Sequence, residues 1–395
     1  MTSKKFIFEQ TVTSQASALN RLNESAAARG WATRPMGVDF HIDFVRLLSP
    51  EGELNDAARE FGQDTELLER FYCAMTKTRV FDGKAIALQR TGQLGTFASA
   101  LGQEAIGVGV AAAMTPSDVL APSYRDHGAQ FLRGMSMVEC LLYWGGDERG
   151  SDFKVPRSDF PNCVPVATQV AHAVGAAYAF MRRKEDRVAV CLIGDGGTAN
   201  GGFYEALNMA GVWKAPVVIV INNNRWAIST PREQESAAET LAQKAIAAGI
   251  EGLQVDGNDV IAVYDVARRA IDKARKGGGP TLIEALSYRL GDHTTADDAS
   301  RYRDPEVLRR EWTREPILRL RTYLMRQGRW TKEKEATLLK ECSNEVEKAV
   351  AAYLAAPPPI CDAMFDHLYA ALPSSMERQR EEARRFAPRQ GGVDG

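Results

Sequence analysis

The stretch VAVCLIGDGGTANGGFYEALNMAGVWKAPVVIVINNNRWAIST, Val188–Thr230, decides the fold. It opens with the apolar run Val188–Ile193, which breaks into Gly194-Asp195-Gly196-Gly197. Helical spacing follows from about Phe203 to Lys214, and a second apolar run, Pro216–Ile221, breaks into Asn222-Asn223-Asn224. Short uninterrupted apolar runs suit strands covered on both faces, and a helix between two of them makes a βαβ unit of a parallel sheet. Ligands of such sheets sit at the carboxyl ends of the strands. Both polar signatures stand at such ends.

The residue types there define a chemistry. Glycines let the backbone approach an anion closely, and the following helix N-terminus offers free N–H groups. An Asp in the turn and an Asn from the neighbouring strand end supply oxygen ligands for a hard cation, magnesium first among them. Gly-Asp-Gly alone is an ordinary turn. What marks a site is its pairing with the Asn run about 25 residues on, each half preceded by a buried-type strand.

Working outward, the alternation continues. Phe40–Leu48 reads as a small strand closed by the Ser49–Gly52 turn, and Thr65–Arg90 has helical spacing up to the Thr91-Gly92 break. Gly102–Met114 reads as a helix whose small residues allow close packing. Val119-Leu120 leads to Ser123-Tyr124-Arg125-Asp126-His127-Gly128. A Tyr-Arg pair at a strand end can hold a diphosphate, the Arg as a bidentate fork and the Tyr through its hydroxyl. Asp147–Pro161 reads as a loop, and Val164–Gln169 introduces a helix to about Phe180. Beyond the central stretch come a helix Ala237–Ala248, a strand Leu253–Val255, a helix Asp259–Lys276 and a strand Thr281–Leu290. The polar loop Asp292–Tyr302 follows, then helices Glu306–Gln327 and Lys332–Ala355, a Pro357–Pro359 break, a helix near Ala363–Ala371 and a charged tail Glu377–Gly395. The expected fold is α/β, a doubly wound, mostly parallel sheet, with an N-terminal arm and C-terminal helices. The expected division is 1–64 for the arm and small strand, 65–325 for the cofactor domain, and 326–395 for the helical extension and tail.

Composition narrows the function. The chain has 395 residues, 45% hydrophobic and 25% charged, enough for a sizeable core, and a net charge of −2 gives no case for nucleic acid or membrane. No apolar run approaches the roughly 18 residues of a membrane span. The six cysteines form no Cys-x-x-Cys and read as reduced, cytoplasmic usage, with the mitochondrial matrix as the alternative. The first 37 residues lack a secretory apolar core, and Glu9 and Glu24 argue against a transit peptide.

These residues together resemble one family: the alpha subunit of the thiamine diphosphate-dependent first component of 2-oxo acid dehydrogenase complexes, nearest to the bacterial pyruvate dehydrogenase type. The carriers are Phe97–Ala105 with Gly102-Gln103-Glu104-Ala105, Tyr124-Arg125, Pro165–Gln169, the Gly-Asp-Gly stretch, Asn224–Pro231, Val255–Asn258 and Tyr288–Arg303, in the family's order over roughly 65–330. The resemblance implies thiamine diphosphate and magnesium as cofactors. Asp195, Asn224 and the Trp226 carbonyl would hold the metal. Tyr124 and Arg125, with the Gly196 and Gly197 backbone, would hold the diphosphate. Val166 and Ile228 would flank the cofactor rings, and Val164, Gly194, Asn222 and His293 complete the cofactor set. His293 would do acid–base work, its ordinary pKa suiting proton transfer, with Arg289, Tyr302 and Arg303 ordering its loop. His127, beside the Tyr-Arg pair, is the second histidine of interest. Cys163 stands where branched-chain relatives carry Ser, which leaves a potassium site in doubt.

The implied reaction is oxidative decarboxylation of pyruvate with reductive acetylation of a lipoyl group on the second component. A branched-chain 2-oxo acid such as 2-oxoisovalerate, or acetoin, is the competing substrate. The carboxylate that such a cofactor needs against its pyrimidine has no candidate in this chain. The resemblance assigns it to a Glu of a beta subunit, in a heterotetramer of two alpha and two beta chains, with a lipoyl domain as further partner. Two other classes fit less. A nicotinamide dehydrogenase needs a Gly-x-Gly-x-x-Gly turn that Gly194–Gly197 does not provide. A non-catalytic scaffold predicts damage at Asp195, Asn224 or His293, all of which are intact.

Overall fold

The alternation of the two apolar runs sorts their side chains onto opposite faces of one sheet. In the computed structural model, which describes residues 41–386, Val190 and Leu192 and, on the neighbouring strand, Val218 and Val220 enter one core. Cys191 and Ile193, with Val217, Ile219 and Ile221, enter the other. Every one of them is buried. That two-sided burial explains why the runs are continuous rather than alternating with polar residues.

In chain order the strands are β1 Phe44–Val45, β2 Val119–Ala121, β3 Ala189–Gly194, β4 Val217–Asn223, β5 Trp226–Ala227, β6 Thr230–Pro231, β7 Glu251–Asp256 and β8 Thr281–Leu286. Six of them form one sheet in the order β1-β7-β8-β4-β3-β2. All five of its pairings are parallel. β5 and β6 make a separate antiparallel hairpin. The longer helices are α1 Thr65–Arg90, α2 Glu104–Ala113, α3 His127–Arg133, α4 Met137–Trp144, α5 Thr168–Arg183, α6 Gly201–Trp213, α7 Val260–Arg275, α8 Pro305–Trp312, α9 Pro316–Arg326, α10 Lys332–Leu354 and α11 Ser374–Phe386. Helices α1, α2 and α7 cover one face, and α5 and α6 the other. This is the α/β, doubly wound, parallel architecture expected. α2 lies so close on α7 that a Cβ on Gly109 would meet Val263 Cγ1 at 2.8 Å, the use of the small residues in that segment.

Segments on either side of the expected 64/65 and 325/326 boundaries pack together. β1 joins the sheet through Phe44↔Gln254 and Val45↔Val255. α10 lies along α1, with Lys77–Glu345 and Lys84–Glu347 ion pairs at 2.6 Å and the Tyr72 hydroxyl donating to Glu335 at 2.8 Å. The arm expected before residue 37 and the tail beyond Phe386 lie outside the described residues.

Several expected elements differ. Helix Glu306–Gln327 is two helices, because Pro316 starts α9 and Glu315 caps it by accepting from the Ile317 and Leu318 N–H groups. The strand Thr281–Leu290 ends at Leu286. β4 ends at Asn223, so beyond that point the ladder gives way to single bonds from the main-chain N–H groups of Ser287 and Arg289 to the Asn223 and Asn224 carbonyls. The helix expected from Ala237 begins at Leu241. The carbonyls of Ala238 and Glu239 are taken by the Arg232 guanidinium, and Thr240 forms a capping box with Gln243. The segment near Ala363 makes only one turn, Ala363–Asp366, and the tail is helical over Ser374–Phe386. Helices α3 and α4 have no counterpart among the elements expected from sequence.

Candidate active site

The register of β3 and β4 puts Gly194 opposite Asn222, so the two polar signatures share one end of the sheet. β2 brings Ser123–Arg125 beside them, and the chain leaving β8 brings Arg289 and His293. A cavity of about 240 Å³ opens between these ends. Among the expected residues, Tyr124, Arg125, Val166, Gly194, Asp195, Gly196, Gly197, Asn222, Asn224, Trp226, Ile228 and His293 line it.

The acidic end of the cavity rests on Asp195, only 2% exposed. One carboxylate oxygen accepts from the Gly196 N–H at 3.1 Å; the other, Oδ2, is buried and has no partner among the described residues. Burial, with Glu235 nearby, pushes this carboxyl up to about 7. A buried carboxylate oxygen without a donor is costly unless something positive meets it. The Asn224 side-chain oxygen accepts from the Trp226 N–H at 3.2 Å. A carboxylate oxygen and an amide oxygen are donors of the kind that suit a hard cation. Among the described residues no group of three or more His, Cys, Asp or Glu is placed to hold a metal ion.

The floor and ceiling are built by backbone. A Cβ on Gly197 would meet Ile193 Cδ1 at 2.6 Å, so only glycine brings the chain this close to the strand beneath. Ile228 holds φ at +56°, left-handed for a β-branched residue, and is 58% exposed. Its carbonyl accepts from Arg289 Nη2 at 2.7 Å, which keeps the turn in place. Val166, 53% exposed, stands on the cavity wall.

His293 sits between two guanidinium groups. Its Nδ1 is 3.3 Å from both Arg125 Nη2 and Arg289 Nη1, and Arg125 Nη2 also donates to its carbonyl at 2.9 Å. The His293 N–H donates to Asp297 at 2.9 Å, anchoring the loop. Burial, then Arg125 and Arg289, pushes the imidazole down to about 4. The ordinary near-neutral value expected for it therefore gives way to a lower one: around neutral pH, burial and the two guanidiniums favour the neutral ring. Burial and the neighbouring Arg125 likewise lower Arg289, to about 10.

Three expected residues stand behind the cavity rather than on it. Arg289 is nearly fully buried and donates to the Tyr302 hydroxyl at 2.7 Å; that hydroxyl in turn donates to Asp297. Arg303 donates to the Arg289 and Gly291 carbonyls and so pins the loop from below. Val164, more than half exposed, does not reach the cavity. Conversely, Gln103, Ser123, Gln169, Ile193, Ala227 and Glu235 line it without a role expected from sequence, and so does Cys163, expected only as the residue that leaves a potassium site in doubt. Gln103 lies in one of the motifs that carry the resemblance. Glu235 carries no signal, since it arrives only through the turn at Arg225 and the β5–β6 hairpin.

A cleft at the strand ends lined by a buried carboxylate, two asparagines, a guanidinium and a histidine has the make-up of an enzyme's active site. Comparison with known proteins gives the family. The Dehydrogenase E1 component profile matches residues 72–360. The chain is 41% identical over 355 residues to the 3-methyl-2-oxobutanoate dehydrogenase subunit alpha of Mycobacterium tuberculosis, covering 89% of this chain and 96% of that one. It is 44% identical over 326 residues to the pyruvate dehydrogenase E1 component subunit alpha of Acholeplasma laidlawii, covering 81% and 94%. To the corresponding Bacillus subtilis subunit it is 38% identical over 339 residues, covering 85% and 91%. The chain belongs to the Dehydrogenase E1 component family, as an alpha subunit of a 2-oxo acid dehydrogenase.

Proposed function

We propose that this chain binds thiamine diphosphate with magnesium and, with a beta subunit, decarboxylates pyruvate and passes the acetyl group to a lipoyl group on a second component. The observation that carries this reading is the buried, unpartnered Asp195 oxygen beside Asn224 and Trp226, facing Tyr124 and Arg125 across one cavity. Asp195, Asn224 and the Trp226 carbonyl would hold the cation. Tyr124, Arg125 and the Gly196 and Gly197 N–H groups would hold the diphosphate. The bound cofactor supplies the nucleophilic carbon and the electron sink for decarboxylation. This chain's part is to orient it: Ile228 and Val166 shape the cavity wall, Arg289 fixes the Ile228 turn, and His293, its Nδ1 facing two guanidinium donors, has Nε2 as the nitrogen that would move a proton. The Glu against the cofactor's pyrimidine would come from the beta subunit, in a two-alpha, two-beta assembly.

A second substrate, a branched-chain 2-oxo acid, is favoured by the likeness to the mycobacterial subunit. Discrimination by one or two methylenes is worth only about 1–3 kcal/mol each, and the two kinds of relative are similarly close. The test is calorimetric titration of thiamine diphosphate, with and without magnesium, into the chain co-expressed with its beta subunit. Magnesium-dependent binding that Asp195→Ala abolishes is the expected result. Decarboxylation rates for pyruvate against 3-methyl-2-oxobutanoate then name the substrate. No binding by the unmodified assembly would discard the cofactor and what rests on it.

A further inference from the structure

The motif Gly102-Gln103-Glu104-Ala105 leads into α2 beside the cleft. Gln103 precedes the helix and is 4% exposed. Its Oε1 accepts from Asn222 Nδ2 at 3.0 Å and from Asn224 Nδ2 at 2.9 Å. The amide orientations follow from chemistry. The Trp226 main-chain N–H can only donate, so the Asn224 atom 3.2 Å away is its oxygen and the opposite end is NH₂. The Gln103 atom facing that NH₂ must then be the acceptor. On the far side, Ser287 Oγ donates to Asn222 Oδ1 at 2.8 Å and closes the chain of bonds. Gln103 Nε2 is left buried with no partner among the described residues, on a side chain that lines the cavity.

The geometry points to Gln103 as a positioning residue of the divalent-cation site: by accepting both amide NH₂ groups it fixes Asn224 with its oxygen as the end presented to the cation. This rests on the magnesium reading above. Without the acceptor, two buried NH₂ groups lose their partner, and among the described residues the Trp226 N–H is left as the one contact holding the Asn224 oxygen in place. A carboxamide that turns over offers N–H donors to a cation and repels it. Groups that orient metal ligands from behind are commonly worth about 10–100-fold in metal affinity. Gln103 ties the start of α2 to the end of β4, so it also couples the loop before that helix to the ligand.

The experiment titrates magnesium, at fixed thiamine diphosphate, into the alpha–beta assembly by calorimetry. The unmodified protein is compared with Gln103→Met, which keeps length and removes the acceptor, and Gln103→Glu, which keeps it. Assembly is checked by size exclusion and melting temperature. The expected result is an apparent Kd for magnesium raised about tenfold or more in Gln103→Met. Gln103→Glu should bind at least as well as the unmodified protein. Equal affinity in Gln103→Met overturns the inference, and so does a loss in Gln103→Glu as large as in Gln103→Met. If Gln103→Met does not assemble, Gln103→Glu decides by itself: retained affinity supports the role and lost affinity removes it. Absence of magnesium-dependent binding in the unmodified assembly shows before any variant is made, and refutes the cofactor reading instead.

Discussion

Ile228 shows how a single residue trades stability for shape. An L side chain at positive φ costs about 1–2 kcal/mol, and β-branching adds crowding. Glycine there removes the strain while giving the unfolded chain more freedom, worth roughly 0.4–1 kcal/mol the other way. We expect Ile228→Gly to leave stability unchanged or raise it by up to about 1 kcal/mol, and to weaken cofactor binding and turnover. A variant both less stable and fully active would contradict this; urea unfolding and steady-state rates decide. His127 makes a pH prediction. It is fully buried, stacked on Phe97 at 5.2 Å, with Nε2 3.0 Å from the Ala98 carbonyl. Burial, with Arg125 nearby, lowers it from 6.5 to about 4. Its folded pKa is the lower one, so the unfolded chain takes up the proton first. Its contribution is intact above pH 6.5 and is lost as pH falls towards 4. The loss is about 3 kcal/mol across that window. A glutamine side chain does not titrate, so the stability gap between the unmodified protein and His127→Gln should shift by roughly that amount between about pH 7 and 4.5; parallel curves would refute it. At this scale the sequence is informative where chemistry follows from residue type at a strand end, as for Asp195, Asn224, Arg125 and His293. It is silent where a role depends on which end of an amide meets which neighbour, as at Gln103, or on a distant turn, as at Glu235. The low pKa of His293 also needs three dimensions, because its two guanidiniums lie 168 residues upstream and four residues upstream of it.

Among the elements, the start of α7 does more than begin a helix. Asp259 caps it by accepting from the Ile261 and Ala262 N–H groups, each at 3.1 Å. Its other oxygen accepts from Leu47 and Leu48 N–H at 2.7 and 2.6 Å, tying the segment after β1 to the helix. The side chain is fully buried. Asp259→Ala therefore loses a cap, worth about 1 kcal/mol, and strands further buried donors at about 1–3 kcal/mol each. A total loss of about 4 kcal/mol is expected by chemical denaturation, with faster amide exchange over residues 44–48. A change below about 1 kcal/mol would show that water replaces the carboxylate. Periodicity gives helix bounds well where caps are local: α1 matches the expected Thr65–Arg90, with Asp64 accepting from Leu67 N–H at 3.0 Å. It runs through the α8–α9 break because apolar spacing continues across Thr313–Glu315, and only the Glu315 cap and Pro316 reveal the stop. It overruns at β8 because Ser287–Leu290 stays buried after the ladder has ended.

For the whole molecule, the cavity is unfinished on one side. Val164, Val166 and Ile228, all more than half exposed, are apolar residues at or beside a site whose chemistry favours exclusion of water. A beta subunit seated there would cover them. We expect no decarboxylation by the alpha chain alone, and activity together with a two-plus-two mass on co-expression; a rate from the isolated chain would end that view. The parallel sheet is legible from Val188–Thr230, but the strand order is not, because nothing local says which later strand lands beside β4. That order has a consequence for synthesis. β8 lies between β4 and β7 and is the last strand of the sheet to leave the ribosome. Until residues 281–286 emerge, β3 and β4 on one side and β1 and β7 on the other each end in an unpaired edge, open to other chains. Arg289 and His293 follow β8 directly, so the nascent protein seals its sheet and completes its catalytic cleft almost together.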